Sequence, residues 1–91
     1  EFVFFGASFV AENMLNFNSK YNIGIKAVAI ADHDISKVGR EMGGVPVVKV
    51  DEITKYSKNV LILSKKFEEI MRNAVKEIYG DTVRVELLEL Y

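Results

Sequence analysis

The chain contains no cysteine and only one proline. Without cysteine it can form neither a disulfide nor a thiolate metal site. Its 12 basic and 13 acidic residues leave a net charge of −1, so we expect no nucleic-acid partner. No apolar run approaches the roughly 20 residues that cross a bilayer, so we expect no membrane insertion and a cytoplasmic location.

The composition is that of one globular domain spanning residues 1–91. Hydrophobic residues make up 49% of the chain and charged residues 27%, which excludes a disordered tail. The chain begins inside an apolar run without an initiator methionine. We therefore expect a domain excised from a longer protein.

The pattern of apolar residues predicts strands alternating with helices. Continuous apolar runs predict buried strands at Phe2–Phe5, Lys26–Ala31 and Val60–Leu63. A strand at Val45–Val48 contains Pro46, which favours an edge position or pairing on one side only. The last strand, Thr82–Leu87, alternates apolar and polar residues.

Helical spacing predicts helices over residues 8–20, 52–56 and 65–79, the second with Asp51 as its N-cap. Gly80 ends the last of them. Residues 32–44 are irregular and are predicted to form a loop with one helical turn near residues 36–38.

Strands separated by helices must pair in parallel through right-handed crossovers. The sequence therefore predicts an α/β fold with a small doubly wound five-stranded sheet, in the order 3-2-1-4-5. Ligands of such sheets bind at the carboxyl ends of the strands, where the strand order reverses.

The first eleven residues carry the clearest chemical signal. A strand, a glycine turn and a helical pattern follow one another, which is the beginning of a βαβ nucleotide-binding unit. Backbone N–H groups at a helix N-terminus suit a phosphate or pyrophosphate, so we predict ligand contacts at Gly6, Ala7, Ser8 and Phe9. A tight turn that binds nothing is the alternative. Gly6, Ser8 and Ala11 stand where three glycines are usual, and Ser8 hinders close approach of the backbone to a pyrophosphate.

Asp32 closes the second strand, where a carboxylate can accept ribose hydroxyls and repel a 2′-phosphate. That favours NAD or a nucleotide ribose over NADP, although a solvated loop acid is the alternative. Ser64 follows the fourth strand and is predicted either to cap the last helix or to face the ligand. His33, the only histidine, is interpreted as a surface residue. No metal site is predicted, because adjacent side chains do not converge on one ion.

Aromatic residues are predicted to belong to the core. The cluster comprises Phe4, Phe5, Phe9, Phe17, Tyr21 and Phe67, of which Phe9 is the exception because it lies in the binding turn itself. A catalytic Ser/His/Asp set and a P-loop lysine are both missing, so the sequence predicts a binding site with no catalytic residues.

Four segments resemble a known family: residues 4–8 (FFGAS), 29–34 (AIADHD), 37–39 (KVG) and 44–48 (GVPVV). They look like the Rossmann-like N-terminal domains of bacterial sugar and polysaccharide biosynthesis proteins, including the nucleotide-sugar-binding domains of PglD-type acyltransferases. Related patterns occur in redox-sensing NAD-binding repressors. The resemblance implies that Gly6, Ala7 and Ser8 form the phosphate turn and that Asp32 is the acid of the second strand.

Three functions stay open at this point. The favoured one is a nucleotide- or nucleotide-sugar-binding module of a glycosyl-, acyl- or methyltransferase, with a nucleotide-sugar or NAD as ligand. The alternatives are the NAD-binding half of a dehydrogenase, dehydratase or redox sensor, and an interaction domain without a ligand. Expected partners are a small nucleotide and either a further domain or a second copy of the chain.

Overall fold

The computed structural model describes residues 1–6, 11, 13, 15, 16 and 26–87. Within these residues six strands form one sheet: β1 (Phe2–Phe5), β2 (Ala27–Ala31), β3 (Glu41–Met42), β4 (Val45–Val48), β5 (Asn59–Ile62) and β6 (Arg84–Leu87). The described helical segments are two 3₁₀ helices, Ile35–Lys37 and Val50–Lys55, and an α-helix at Glu68–Tyr79, here termed the C-terminal helix. Residues 11, 13, 15 and 16 are also helical.

The sheet runs in the order β3-β4-β2-β1-β5-β6. All neighbouring strands pair in parallel except β3 and β4, which are antiparallel. The parallel part, β4-β2-β1-β5-β6, is the predicted 3-2-1-4-5 order, so the predicted α/β Rossmann-like fold is confirmed.

The sixth strand, β3, was not predicted. It joins β4 through the two-residue turn Gly43-Gly44, and it places β4 second from the edge instead of at the edge. Pro46 pairs with Glu41 of β3 and lies outside the register that β4 shares with β2. The missing N–H of Pro46 is therefore not needed for pairing with β2.

Both faces of the sheet are covered, which explains why the central strands are apolar throughout. On one face, Val3 and Phe5 of β1 belong to a core that includes Ile53 of the second 3₁₀ helix and Val75 of the C-terminal helix. On the other face, Phe4 belongs to a core that includes Ala11 and Leu15. Exposed Asn13 and Asn16 lie on the same helical segment as those two buried residues, as the amphipathic pattern predicts.

Two predicted helix starts were wrong. The segment after β4 is a 3₁₀ helix that begins at Val50, and Lys49 occupies its N-cap position instead of Asp51. The C-terminal helix begins at Glu68 with Phe67 at its N-cap position, so Ser64 does not cap it. A turn precedes this helix, in which the Glu68 N–H donates to the Lys65 carbonyl at 3.3 Å.

Candidate functional site

The carboxyl ends of β1 and β2 bring two predicted site residues to one place. Gly6 follows β1, and its N–H donates to the Ala31 carbonyl of β2 at 2.8 Å. Asp32 follows β2, and its N–H donates to the Val48 carbonyl of β4 at 3.0 Å. Parallel pairing thus extends one residue beyond β1 and β2 and fixes the backbone from which both residues project.

Gly6 and Asp32 line the same cavity, which has a volume of about 180 Å³. The remaining described lining residues come from β1, the loop after β2 and the start of the C-terminal helix: Phe5, His33, Phe67, Ile70, Met71 and Ala74. The cavity therefore has one polar wall, at the strand ends, and one apolar wall, on the helix.

Gly6 takes a backbone conformation that favours glycine, with φ of +102°. A Cβ built on it would lie 3.5 Å from Cε of Met71, an ordinary contact distance. The backbone conformation, and not lack of space, is therefore the reason for glycine at this turn.

Asp32 is half-buried, and its Oδ1 accepts the N–H of Asp34 at 2.7 Å. Asp34 in turn accepts the Ser36 N–H at 3.0 Å and the Ser36 hydroxyl at 2.7 Å. These two hydrogen bonds hold the pKa of Asp34 below its ordinary value, and the bond from the hydroxyl has the larger effect. Asp34 thus serves as N-cap of the first 3₁₀ helix, whereas Asp32 lines the cavity.

His33 is exposed, as predicted, and it also lines the cavity. Its ring lies 5.5 Å from the ring of Phe5, centroid to centroid, with a tilt of 52°. It lines the cavity although the residue as a whole is exposed. The sequence carried one signal for this role, since the residue after a strand-terminal acid lies at the ligand-binding edge of a parallel sheet.

The helix wall is less buried than its apolar pattern predicts. Phe67 is 47% exposed and Ile70 is 66% exposed, so the expectation that Phe67 belongs to the core was wrong. Phe4 and Phe5, by contrast, are buried. The Lys66 ammonium lies 5.4 Å from the ring centroid of Phe67, which places one cation beside the cavity.

The remaining predicted site residues are either outside the described residues or absent from the described lining of the cavity. Ala7, Ser8 and Phe9 lie outside the described residues, as do Phe17 and Tyr21. Ser64 is half-buried and is not among the described lining residues. Over the described part of the chain, no three His, Asp or Glu side chains are arranged to hold a metal ion, and no helix is long and apolar enough to cross a membrane.

Comparison with known proteins places the chain in a family. Residues 1–80 match the family model described as "CoA binding domain". The chain belongs to the CoA binding domain family. This assignment supports the Rossmann-like part of the resemblance inferred from the sequence, and it gives no support to the sugar-biosynthesis branch.

Two proteins to which this CoA binding domain is similar, one in sequence and one in fold, are named as repressors. The chain is 42% identical over 53 residues to the redox-sensing transcriptional repressor Rex of Geobacillus sp. (strain WCH70), an alignment that covers 58% of the chain and 25% of Rex. A crystal structure of RSP, a Rex-family repressor, superposes with a TM-score of 0.67 at 15% identity over 98% of the chain and 52% of RSP. The chain thus spans about a quarter of Rex and about half of RSP.

These relatives overturn two expectations. The favoured prediction of a sugar-modifying transferase module with a nucleotide-sugar ligand was wrong, because the matched proteins are named as repressors. The redox sensor, held as an alternative, fits them. The prediction that no nucleic acid is involved was wrong for the same reason, since Rex is named as a transcriptional repressor.

Proposed function

We propose that this chain is the nucleotide-sensing part of a redox-sensing transcriptional repressor, and that its ligand is NAD(H). The observation that carries the proposal is that Gly6 and Asp32, at the ends of neighbouring strands, line one cavity. Similarity to Rex supports the redox role. We extend the proposed site to Ala7, Ser8 and Phe9 from their positions in the sequence, because the residues after a glycine turn present N–H groups to a pyrophosphate.

The family's name raises CoA as a second candidate. NADH and CoA share an adenosine diphosphate, but the adenosine ribose of CoA carries a 3′-phosphate, whereas that of NADH has two free hydroxyls. The Asp32 carboxylate accepts hydrogen bonds from a free diol and repels a phosphate. Asp32 therefore favours NADH over both CoA and NADPH.

The test is isothermal titration of the intact protein with NADH, NAD⁺, NADPH and CoA. We expect NADH to bind at least tenfold more tightly than NADPH or CoA. NAD⁺ and NADH should bind with different affinities. A ligand shifts a conformational equilibrium only if it binds the two conformations with different affinities, so a redox sensor requires that the oxidised and reduced forms differ in this respect. Tighter binding of CoA than of NADH would instead support the second candidate.

Asp32→Asn isolates the charge of the carboxylate. The amide oxygen can still accept the Asp34 N–H, so the conformation of the loop is retained. The carboxylate that would accept both ribose hydroxyls is lost. Hydrogen bonds to charged groups contribute about 1.5–3 kcal/mol, so NADH affinity should fall roughly tenfold or more, and discrimination against NADPH should narrow. The matched control is Asp51→Asn, an exposed acid that does not line the cavity.

For the whole protein, we propose DNA as the partner and the cytoplasm as the location, because a repressor works where the chromosome is. Binding of NAD(H) at Asp32 would then alter the affinity for DNA. By linkage, DNA must alter the affinity for NAD(H) by the same factor.

A further inference from the structure

His33 places an exposed aromatic ring directly beside Asp32. Ala29 and Ala31 of β2 belong to the same core as Phe5, and His33 continues their two-residue alternation beyond the strand end. Its ring therefore lies beside that of Phe5, at 5.5 Å. One side of the imidazole is supported by an aromatic ring, while the residue remains open to the cavity.

The cavity has room for one small group with an apolar face. Its volume of about 180 Å³ is smaller than the roughly 300–1,000 Å³ that holds a drug-sized ligand. It therefore accommodates one ring system of a dinucleotide and not the whole molecule. The lining from the C-terminal helix is apolar, namely Phe67, Ile70, Met71 and Ala74.

The position of Asp32 selects which ring enters. In the proposed function Asp32 binds the adenosine ribose, and the adenine is one glycosidic bond away from that sugar. Adenine is flat, bicyclic and uncharged, and bases stack on aromatic side chains regardless of sequence context. His33 is the aromatic lining residue that adjoins Asp32 in the chain.

We propose that His33 is the stacking platform for the adenine ring of the bound nucleotide. The inference rests on the proposed function, because it requires a ribose at Asp32. In this role the imidazole acts as a flat ring and not as a cation. A phenyl ring at position 33 should therefore replace it.

The test compares the intact wild-type protein with His33→Ala and His33→Phe, using ADP-ribose, nicotinamide mononucleotide and NADH in titration calorimetry. His33→Ala should weaken ADP-ribose and NADH roughly tenfold and leave nicotinamide mononucleotide unchanged. His33→Phe should stay within about twofold of wild type. The matched control is Ile35→Ala, a residue of the same loop that is 67% exposed and does not line the cavity.

Charge provides the competing explanation, and pH distinguishes it. Imidazole changes charge between pH 5 and 8, and the charged residues described around the cavity include Asp32 in its lining, Asp34 in the same loop, and Lys66 beside the Phe67 ring. Stacking predicts that wild type and His33→Phe keep the same affinity ratio for ADP-ribose at pH 6 and pH 8. A wild-type advantage that appears only at pH 6 overturns the stacking role.

The outcomes separate the two proposals. If the wild type binds none of the three ligands, the proposed function fails and the inference fails with it. If the wild type binds but His33→Ala binds ADP-ribose equally well, only the inference fails. If His33→Phe or Ile35→Ala weakens binding as much as His33→Ala does, the specific role of the ring is contradicted.

Discussion

Asp32 and Asp34 are two carboxylates of one loop that the structure uses in different ways. Asp34 caps the first 3₁₀ helix through Ser36, whereas Asp32 accepts the Asp34 N–H and also lines the cavity. The sequence predicted from its position at a strand end that Asp32 lies at the ligand-binding edge, and its contact with a ribose stays a prediction. The sequence did not predict that His33 lines the cavity, because the apolar run that indicates β2 ends before this polar residue, although the alternation of the strand continues to it.

The pKa of Asp34 provides a local test of the loop. A pKa lowered in the folded state stabilises that state above the unfolded pKa, and the contribution is lost as pH falls through the folded value. Ser36→Ala removes the hydroxyl that contributes most to the shift. We expect the pKa of Asp34 to rise toward its ordinary value, as measured by NMR titration of the side-chain carboxyl. In the control Ser57→Ala, whose hydroxyl donates to the Glu1 carbonyl, the pKa of Asp34 should not change.

Gly6→Ala tests the turn at the cavity. At a φ of +102° a Cβ costs about 1–2 kcal/mol, while its 3.5 Å contact with Met71 adds no clash. We expect a loss of that size in the free energy of unfolding and weaker NADH binding. Gly44→Ala, at a φ of +86° with open space around its Cβ, should cost similar stability in urea melts but leave NADH affinity unchanged. Equal loss of NADH affinity in both variants would contradict the placement of Gly6 in the ligand site.

At the scale of elements, the β3–β4 hairpin depends on two glycines that differ in their surroundings. A Cβ on Gly43 would lie 2.7 Å from Cδ1 and 2.9 Å from Cβ of Leu15, whereas a Cβ on Gly44 meets nothing within 4 Å. Gly43→Ala should therefore destabilise the fold by about 1–3 kcal/mol more than Gly44→Ala, because Leu15 is buried in the core. Equal effects in urea denaturation would contradict this packing.

A hydroxyl links the C-terminal helix to the second 3₁₀ helix. The Tyr79 hydroxyl donates to the Val50 carbonyl at 2.7 Å and accepts the Ile53 N–H at 3.1 Å. Tyr79→Phe leaves both backbone groups without this partner, which costs about 1–3 kcal/mol. We expect a lower urea midpoint with an unchanged m-value. In the control Tyr56→Phe, where the residue is 40% exposed, stability should change by less than about 0.5 kcal/mol. A Tyr79→Phe midpoint equal to that of wild type would show that the link does not contribute to stability.

The elements that sequence could predict are those with a sustained pattern. Unbroken apolar runs gave β1, β2 and β5 to within a residue at each end, because both faces of these strands are covered. The strand β3 has two residues and no pattern, so the Gly43-Gly44 pair was its only signal. Helical periodicity predicted that Ile70 and Phe67 are buried. It gives no information on whether a neighbouring element covers that side of the helix, and here these residues form the wall of a cavity.

At the scale of the whole molecule, the fold was predictable and the parent function was not. A Rossmann-like sheet hosts many unrelated functions, and the resemblance based on segments such as residues 44–48 pointed to sugar-biosynthesis proteins and to redox-sensing repressors alike. Net charge was also misleading. A charge of −1 describes this chain, which spans about a quarter of Rex, so it carries no information about the DNA-binding capacity of a whole repressor.

We propose that in the intact protein the Asp32 site reports the redox state of NAD(H) to DNA. The direct measurement is fluorescence anisotropy of promoter DNA with the intact protein, at constant total NAD(H) and varied NADH:NAD⁺ ratio. We predict that DNA affinity changes with the ratio in wild type and in Asp51→Asn, and that Asp32→Asn loses most of this response. A DNA affinity that is independent of the ratio, or a response that is unchanged in Asp32→Asn, would contradict the claim.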